Sequence, residues 1–357
     1  MVNAAVQGVG IAVPAPMDQQ GLWDDCFKAA YGGSRLAERI WSSSGVTTRH
    51  GVVDPRVEDV SGWGTGDRMR RYLSEAMPLG KDAVESALGR AGVAAADVGL
   101  FSVVSCTGYV TPGIDILLAR DLGMPASVQR LVVGHMGCYA AVPALAAVSD
   151  AVRARGLVGV MLCVELPSLH VQPGTDDVQQ MVAHALFSDA AAAVVVRPDA
   201  PGLDVVDVVA STDVAHHGDM TWDVTDTGFR MGLSPNVPKV LARHVRGVVD
   251  ELLGRHGLVI ADVSGWAVHP GGPRILDVVE ERLGLRPEHL AASRSVLRDY
   301  GNCSSATVLM VLDRLVASSQ PSDGEHIVAM AFGPGLTLYA TLLRARGGTT
   351  SGRLSSP

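Results

Sequence analysis

Three runs in the first part of the chain, VGLFSVVS (98–105), LVGVMLCVEL (157–166) and AAAAVVVRP (190–198), are apolar at almost every position. A strand with one wet face alternates apolar and polar residues. Runs like these read as strands buried on both faces. That feature demands helices on either side of a sheet, and so an α/β architecture. The segments between supply them. GKDAVESALGRAG (80–92) reads as a helix with a glycine near its end. CYAAVPALAAVSDAVRARG (138–156) is small and apolar on most faces, the pattern of a helix buried all round, with Pro143 near its start where proline is tolerated. AAVQGVGIAVP (4–14) reads as the first strand.

After RPDAPG a second block begins. It holds a helix (LARHVRGVVDELLGRHG, 241–257), a strand and loop (VSGWAVHPGG, 263–272), a helix (CSSATVLMVLDRLVAS, 303–318) and hairpin-like strands (EHIVAMAFGPGLTLYATLLR, 325–344). The two blocks echo each other. A strand ending at Cys106 is followed by Gly137–Cys138 opening a helix. A strand ending at His269 is followed, at nearly the same separation, by Gly301–Asn302 opening a helix. Two equivalent halves, 1–200 and 201–345, bring Cys138, His269 and Asn302 to one place. Residues 346–357 are polar and glycine-rich and are expected to be disordered.

A thiol, an imidazole and an amide form a coherent acyl-transfer set. Cys138 is the nucleophile if the helix N-terminus favours its thiolate, and a packing residue if it does not. His269 can lower the thiol pKa as an ion-pair partner, and its flank HPGG leaves a tight loop poor in side chains. Asn302 can donate its NH₂ to a developing oxyanion, or simply cap the helix that follows.

Composition removes several function classes. A net charge of −8 leaves no basic footprint for nucleic acid. The five cysteines (Cys26, Cys106, Cys138, Cys163, Cys303) are scattered without a CxxC pair, which argues against a zinc site or a disulfide framework and fits a reducing cytoplasm. No apolar run is long enough for a membrane span, and no basic segment at the N-terminus suggests a signal peptide.

Five motifs, in order, are GHMGCYAA around Cys138, ALFSDAAAAVVV around Phe187, WAVHPGGPRILD around His269, YGNCSSATVLMVLD around Asn302 and GPGLT at Gly333. Through them the chain resembles, over roughly residues 3–345, the type III polyketide synthases, the chalcone-synthase-like enzymes of the thiolase fold. The resemblance implies an α/β fold of two pseudo-equivalent βαβαβ-type halves in αβαβα layers. It implies an acyltransferase that loads an acyl-CoA starter on Cys138. Malonyl-CoA then loses CO₂, His269 and Asn302 stabilise the enolate, and rounds of Claisen condensation end in cyclisation. No metal or redox cofactor is implied. An initiating 3-ketoacyl-ACP synthase shares the fold and the residue set, but there the histidine is followed by a Gln-Ala-Asn-like stretch, where this chain has HPGGPRIL. A papain-like hydrolase lacks support, since that family's signature around the cysteine is absent.

Further roles come with the resemblance. Phe187 matches the gatekeeper between the CoA tunnel and the catalytic cavity. Cys106 and Thr107 fall where the family lines its starter pocket. Thr111 matches a position that reaches into a partner subunit, which implies a homodimer. Met231 stands where plant enzymes carry a second aromatic, which leans towards a roomier, aliphatic channel. Arg274 and Arg49 are candidates for the phosphates of CoA at the tunnel mouth. Gly333, Pro334 and Gly335 shape the cavity floor. Small or medium residues at Pro167, Ala183 and Leu186 suggest an aliphatic starter and an alkylpyrone or alkylresorcinol product. His216 and His217 read as surface residues.

Overall fold

The computed structural model describes residues 2–174 and 176–347 and centres on a nine-stranded mixed sheet. Its strands are β1 (Ala4–Ala12), β2 (Val98–Ser105), β3 (Gln129–Gly134), β4 (Val158–Glu165), β5 (Ala190–Pro198), β6 (Gly202–Thr212), β7 (Val263–Val268), β8 (His326–Gly333) and β9 (Thr337–Arg346). Their spatial order is β7-β8-β9-β6-β1-β5-β4-β2-β3. The echo in the sequence is visible in the pairing. In the first half β2 and β4 are parallel, and β4–β5 and β5–β1 antiparallel. In the second half β7 and β8 are parallel, and β8–β9 and β9–β6 antiparallel. The halves join at β1–β6, through Ala5↔Asp204 and Val6↔Leu203. β3, parallel to β2, closes the first half as an edge.

The helices used below are α1 (Thr65–Ala91), α2 (Ala141–Arg155), α3 (Val178–Leu186), α4 (Val237–Gly254), α5 (Pro273–Leu283), α6 (Ala291–Tyr300) and α7 (Thr307–Ser319). The apolar run of β5 shows why the layers form. Ala190, Ala192, Val194 and Val196 enter the core that holds α2 and α7, while Ala191, Ala193 and Val195 enter the core under α1. The α2/α7 core also takes residues of β8 and β9, and a third core packs α4 and α5 on the second half-sheet. The result is α1, half-sheet, α2 with α7, half-sheet, α4 with α5, the expected αβαβα order.

Helix α1 starts fifteen residues before its expected start at Gly80 and carries Pro78 inside it. Proline removes one backbone donor and disfavours a helix interior. The buried face Tyr72, Ala76, Gly80, Ala83 and Ala87 outweighs that loss. Its backbone lies directly on β1, because a Cβ at Gly10 would sit 2.1 Å from the Ala83 carbonyl oxygen. Adding that methyl forces the helix off the sheet, at a cost of about 1–3 kcal/mol. A hairpin of Met220–Thr225 and Gly228–Leu233, invisible in the sequence pattern, leans over the site. Strand β9 runs through Arg346, whose guanidinium bonds Asp204 at 3.2 Å, so the expected tail boundary at 346 falls inside a strand. Residues 348–357 of that expected tail lie outside the described residues.

Candidate active site

Cys138 does not open the α-helix itself. It sits in a 3₁₀ turn, Gly137–Tyr139, that feeds α2. Gly137 holds the turn at φ +75°, and a Cβ there would lie 2.6 Å from Pro334 Cδ. A Cβ on Gly333 would lie 3.3 Å from the Cys138 amide nitrogen. The Gly333–Pro334 turn after β8 therefore presses on the nucleophile's own backbone, and side chains there would displace it. Gly335, at φ +126°, completes the turn.

The equivalent corner of the second half carries Asn302. The expected helix start is again delayed: Ser304–Ala306 form a 3₁₀ turn before α7. Asn302 pairs with Phe187 in a parallel bridge, its N–H donating to Leu186 O at 2.8 Å and its carbonyl accepting from Ser188 N at 3.0 Å. Its Oδ1 accepts from Ser304 N at 2.9 Å. That bond does the capping, and it leaves the Nδ2 as the donor end of the amide. Both readings of this residue hold together. The Asn302 and Ser304 side chains also lie close enough to the Cys138 thiol to favour its charged form.

His269 follows β7 and is held by its N–H to Met330 O at 2.8 Å, with its ring against the Phe332 ring. It is fully buried, and among the described residues neither ring nitrogen has a hydrogen-bond partner. Burial pushes its pKa down to about 3, and pushes the Cys138 thiol up to about 12 against the bonds from Ser304 and Asn302. Burial thus works against charge on both groups, and so against the ion pair that the sequence reading allows.

A small cavity opens on Cys138, with about 320 Å³ of empty space that includes its open side, lined by Cys106, Thr107, Gly137, Pro167, Phe187, Trp222, Met231, Ser304 and Pro334. A second cavity of about 590 Å³, open solvent included, lies beyond Phe187. Phe187, Pro167, Trp222 and Met231 face both. Ala183 also lines the outer cavity, while Leu186 packs beside Val46 and Leu297. Thr111 is exposed and lines neither cavity.

Two of the proposed arginines part company. Arg274 is exposed on the first turn of α5 and lines neither cavity. Arg49 lines the outer cavity from within the protein. It is 7% exposed, stacks on Trp41, donates to Gln19 Oε1 at 2.7 Å and to Phe187 O at 3.3 Å, and burial lowers its pKa to about 9. It braces the backbone of Phe187 from inside the protein. His216 is half-buried and contacts Asp213, while His217 is exposed.

The sequence reading missed two residues. Glu165, fully buried at the end of β4, accepts from Cys106 N at 3.0 Å, Thr107 Oγ1 at 2.8 Å and Ser305 Oγ at 2.5 Å. It ties the Cys106 loop to the start of α7, and its own burial raises its pKa. Burial and the neighbouring Glu165 both push the Cys106 thiol well up, against the thiolate that nucleophilic attack needs. Trp222 on the hairpin donates its indole N–H to Cys106 O at 2.7 Å and so fixes the wall between the cavities. Its only sequence signal is an aromatic in a polar stretch.

The sequence models of two family domains match this chain: chalcone and stilbene synthases, N-terminal domain, over residues 53–200, and chalcone and stilbene synthases, C-terminal domain, over residues 207–346. An alpha-pyrone synthesis polyketide synthase-like protein, Pks18, of Mycobacterium tuberculosis is 34% identical, covering 95% of this chain and 90% of that protein. A 1,3,6,8-tetrahydroxynaphthalene synthase of Streptomyces peucetius subsp. caesius is 35% identical, covering 87% of this chain and 83% of its own length. Among solved structures, the 1,3,6,8-tetrahydroxynaphthalene synthase of Streptomyces coelicolor A3(2) superposes with a TM-score of 0.91 at 28% identity, covering 96% of this chain and 99% of the other. PKS-I of the brown alga Ectocarpus siliculosus gives 0.89 at 30% identity, covering 97% and 99%.

Proposed function

The chain belongs to the chalcone and stilbene synthase family, the type III polyketide synthases, and from that premise we propose that it loads an aliphatic acyl-CoA on Cys138 and extends it with malonyl-CoA to an alkylpyrone or alkylresorcinol. The observation that carries this reading is the site itself: a buried thiol beside Asn302 and Ser304, on the wall of a cavity lined mostly by apolar groups.

The chemistry follows from the residues. Sγ attacks the starter carbonyl as its proton passes to the unpartnered imidazole of His269, and CoA leaves as the thiol with that proton. Malonyl-CoA then loses CO₂, and the electron pair of the broken bond forms a thioester enolate. The Asn302 Nδ2 and the N–H of the neutral His269 ring stabilise its oxygen. The enolate carbon attacks the acyl-Cys138 carbonyl, Sγ leaves, and the chain, two carbons longer, is on CoA. Return to Cys138 begins another round. Little water reaches these walls, which protects the enolate. Every step uses CoA thioesters and these side chains, with no resident metal or redox cofactor.

Assembly and place follow from surfaces. β3 is an edge strand with Leu131 and Val132 exposed, and Tyr109 and Ile116 are exposed as well. Unpaired apolar edges are covered in native proteins, and the cover proposed here is a second copy of the chain. Among the described residues no helix is long and apolar enough to cross a membrane, and the five free cysteines suit a reducing compartment, the cytoplasm. The test is incubation with malonyl-CoA and acyl-CoAs of graded length, with intact-protein mass for acyl-Cys138 and product mass for the polyketide. Turnover only with carrier-protein thioesters would replace this reading by the initiating ketoacyl synthase.

A further inference from the structure

Among the described residues, His170 is a buried histidine in the wall of the outer cavity that the chemistry above does not use, and both of its nitrogens are committed. Nδ1 accepts from Phe229 N–H at 2.9 Å, so the ring proton lies on Nε2, which donates to Thr107 O at 2.6 Å. The ring stacks on Phe229 with centroids 4.5 Å apart and meets Trp222 edge-on. Two separate pieces of the site therefore meet through one imidazole. Phe229 belongs to the hairpin that carries Trp222 and Met231. Thr107 follows Cys106 in the inner cavity.

The ring has little freedom. A Cβ at Gly228 would lie 3.0 Å from its Nδ1 and 2.6 Å from Arg68 Cδ, so hairpin, His170 and Arg68 are in close contact. Arg68 is fully buried and donates to the carbonyls of Val60, Ser61, Trp63, Leu169 and Val171, which fixes the backbone on both sides of His170. Burial, reinforced by the Arg68 charge, lowers the His170 pKa to about 4.

We propose that His170 is a positioning residue that sets the width of the passage between the two cavities, by bolting the Trp222–Met231 hairpin to the Cys106–Thr107 loop through its neutral Nε2–H tautomer. This rests on the polyketide reading, in which the growing chain must occupy that passage. A second bolt, Trp222 Nε1 to Cys106 O, joins the same two pieces, so loss of His170 tilts the hairpin rather than freeing it.

The experiment compares His170→Phe, which keeps a stacking ring and loses both bonds, with His170→Gln, which keeps one donor and one acceptor. Starter acylation of Cys138 is measured first by intact mass. If wild type fails there, the polyketide reading fails and not the bolt. With acylation intact, His170→Phe shifts the ratio of products with different numbers of malonyl extensions by about tenfold, the scale set by a buried donor and acceptor losing their partner, and His170→Gln returns it towards wild type. A ratio unchanged in a folded His170→Phe protein overturns the proposal. ¹⁵N shifts of labelled histidine in the wild-type enzyme, assigned by comparison with the variants, test it without any folding risk to the measured state. A His170 signal that is charged or Nδ1-protonated at pH 7 also overturns it.

Discussion

Replacing Asn302 by aspartate keeps the side chain's size and the acceptor that Ser304 N–H bonds at 2.9 Å. It changes one thing, the Nδ2 donor, which becomes an oxygen. If that donor stabilises the enolate, its loss costs about 10²–10³ in decarboxylation rate, about 2.7–4 kcal/mol of transition-state stabilisation. A carboxylate facing a developing negative charge adds repulsion, so Asn302→Asp falls at or beyond the upper end. Asn302→Ala also loses the cap. Ser304 is buried and held at φ +48°, and losing the acceptor there costs stability of about 1 kcal/mol. The aspartate variant thus isolates the chemistry, and the alanine variant reports chemistry and cap together. Acetyl-CoA release from malonyl-CoA measures decarboxylation, and intact-protein mass after a short exposure to acyl-CoA measures loading. Both variants should still load Cys138. Cys138→Ala should show the complement: no captured acyl group and residual decarboxylation, because the enolate donors remain. His269→Ala should impair both halves. Decarboxylation by a folded Asn302→Asp enzyme within about threefold of wild type would refute the donor role, since one preorganised donor is worth far more than that.

Trp222→Ala removes the largest shared wall of the two cavities and its bond to Cys106 O. It should accept longer starters, read as a shift of the kcat/KM optimum across an acyl-CoA series; an unmoved optimum would show that the partition lies elsewhere. His184 is buried with its Nδ1 against Tyr31 OH at 2.6 Å and its Nε2 accepting from Gln172 N at 3.2 Å, and burial holds its pKa at about 3. The unfolded chain takes up a proton at this residue near pH 6.5 that the folded chain refuses, so its contribution is present above that pH and is lost as pH falls towards 3. Asp189, raised to about 6 by burial, works in the opposite direction. The measurement is therefore the difference between wild type and His184→Gln, whose unfolding free energies should draw together by about 2 kcal/mol from pH 7 to pH 5; parallel curves would rule the effect out. Light scattering at micromolar concentration should give twice the chain mass, and Val132→Lys on the exposed edge strand should lower it. A fully active wild-type monomer would remove the edge-strand interface.

The α/β class was legible because strands buried on both faces cannot hide their composition: 190–198 has no polar alternation to offer. The repeated strand-to-helix spacing was legible for a related reason, since two copies of one topology must space their corners alike, and it pointed to Cys138, His269 and Asn302. Element ends were less so. The helix expected from Gly80 begins at Thr65, because the packed face of α1 carries it through Pro78, and both corner helices begin with a 3₁₀ turn that places Cys138 and Asn302 ahead of the α-helix proper. The burial of Cys138, His269 and Arg49 was decided by the tertiary structure alone. Burial is a property of everything packed around a group; it works against charge on both Cys138 and His269, and it turns Arg49 inward to bond the Phe187 carbonyl. Glu165 and Trp222 were beyond reach for the same reason. Their partners, Cys106, Thr107 and Ser305, are distant along the chain. A sequence fixes which chemistry is available at each position, and only the folded chain decides which groups meet and how much water they keep.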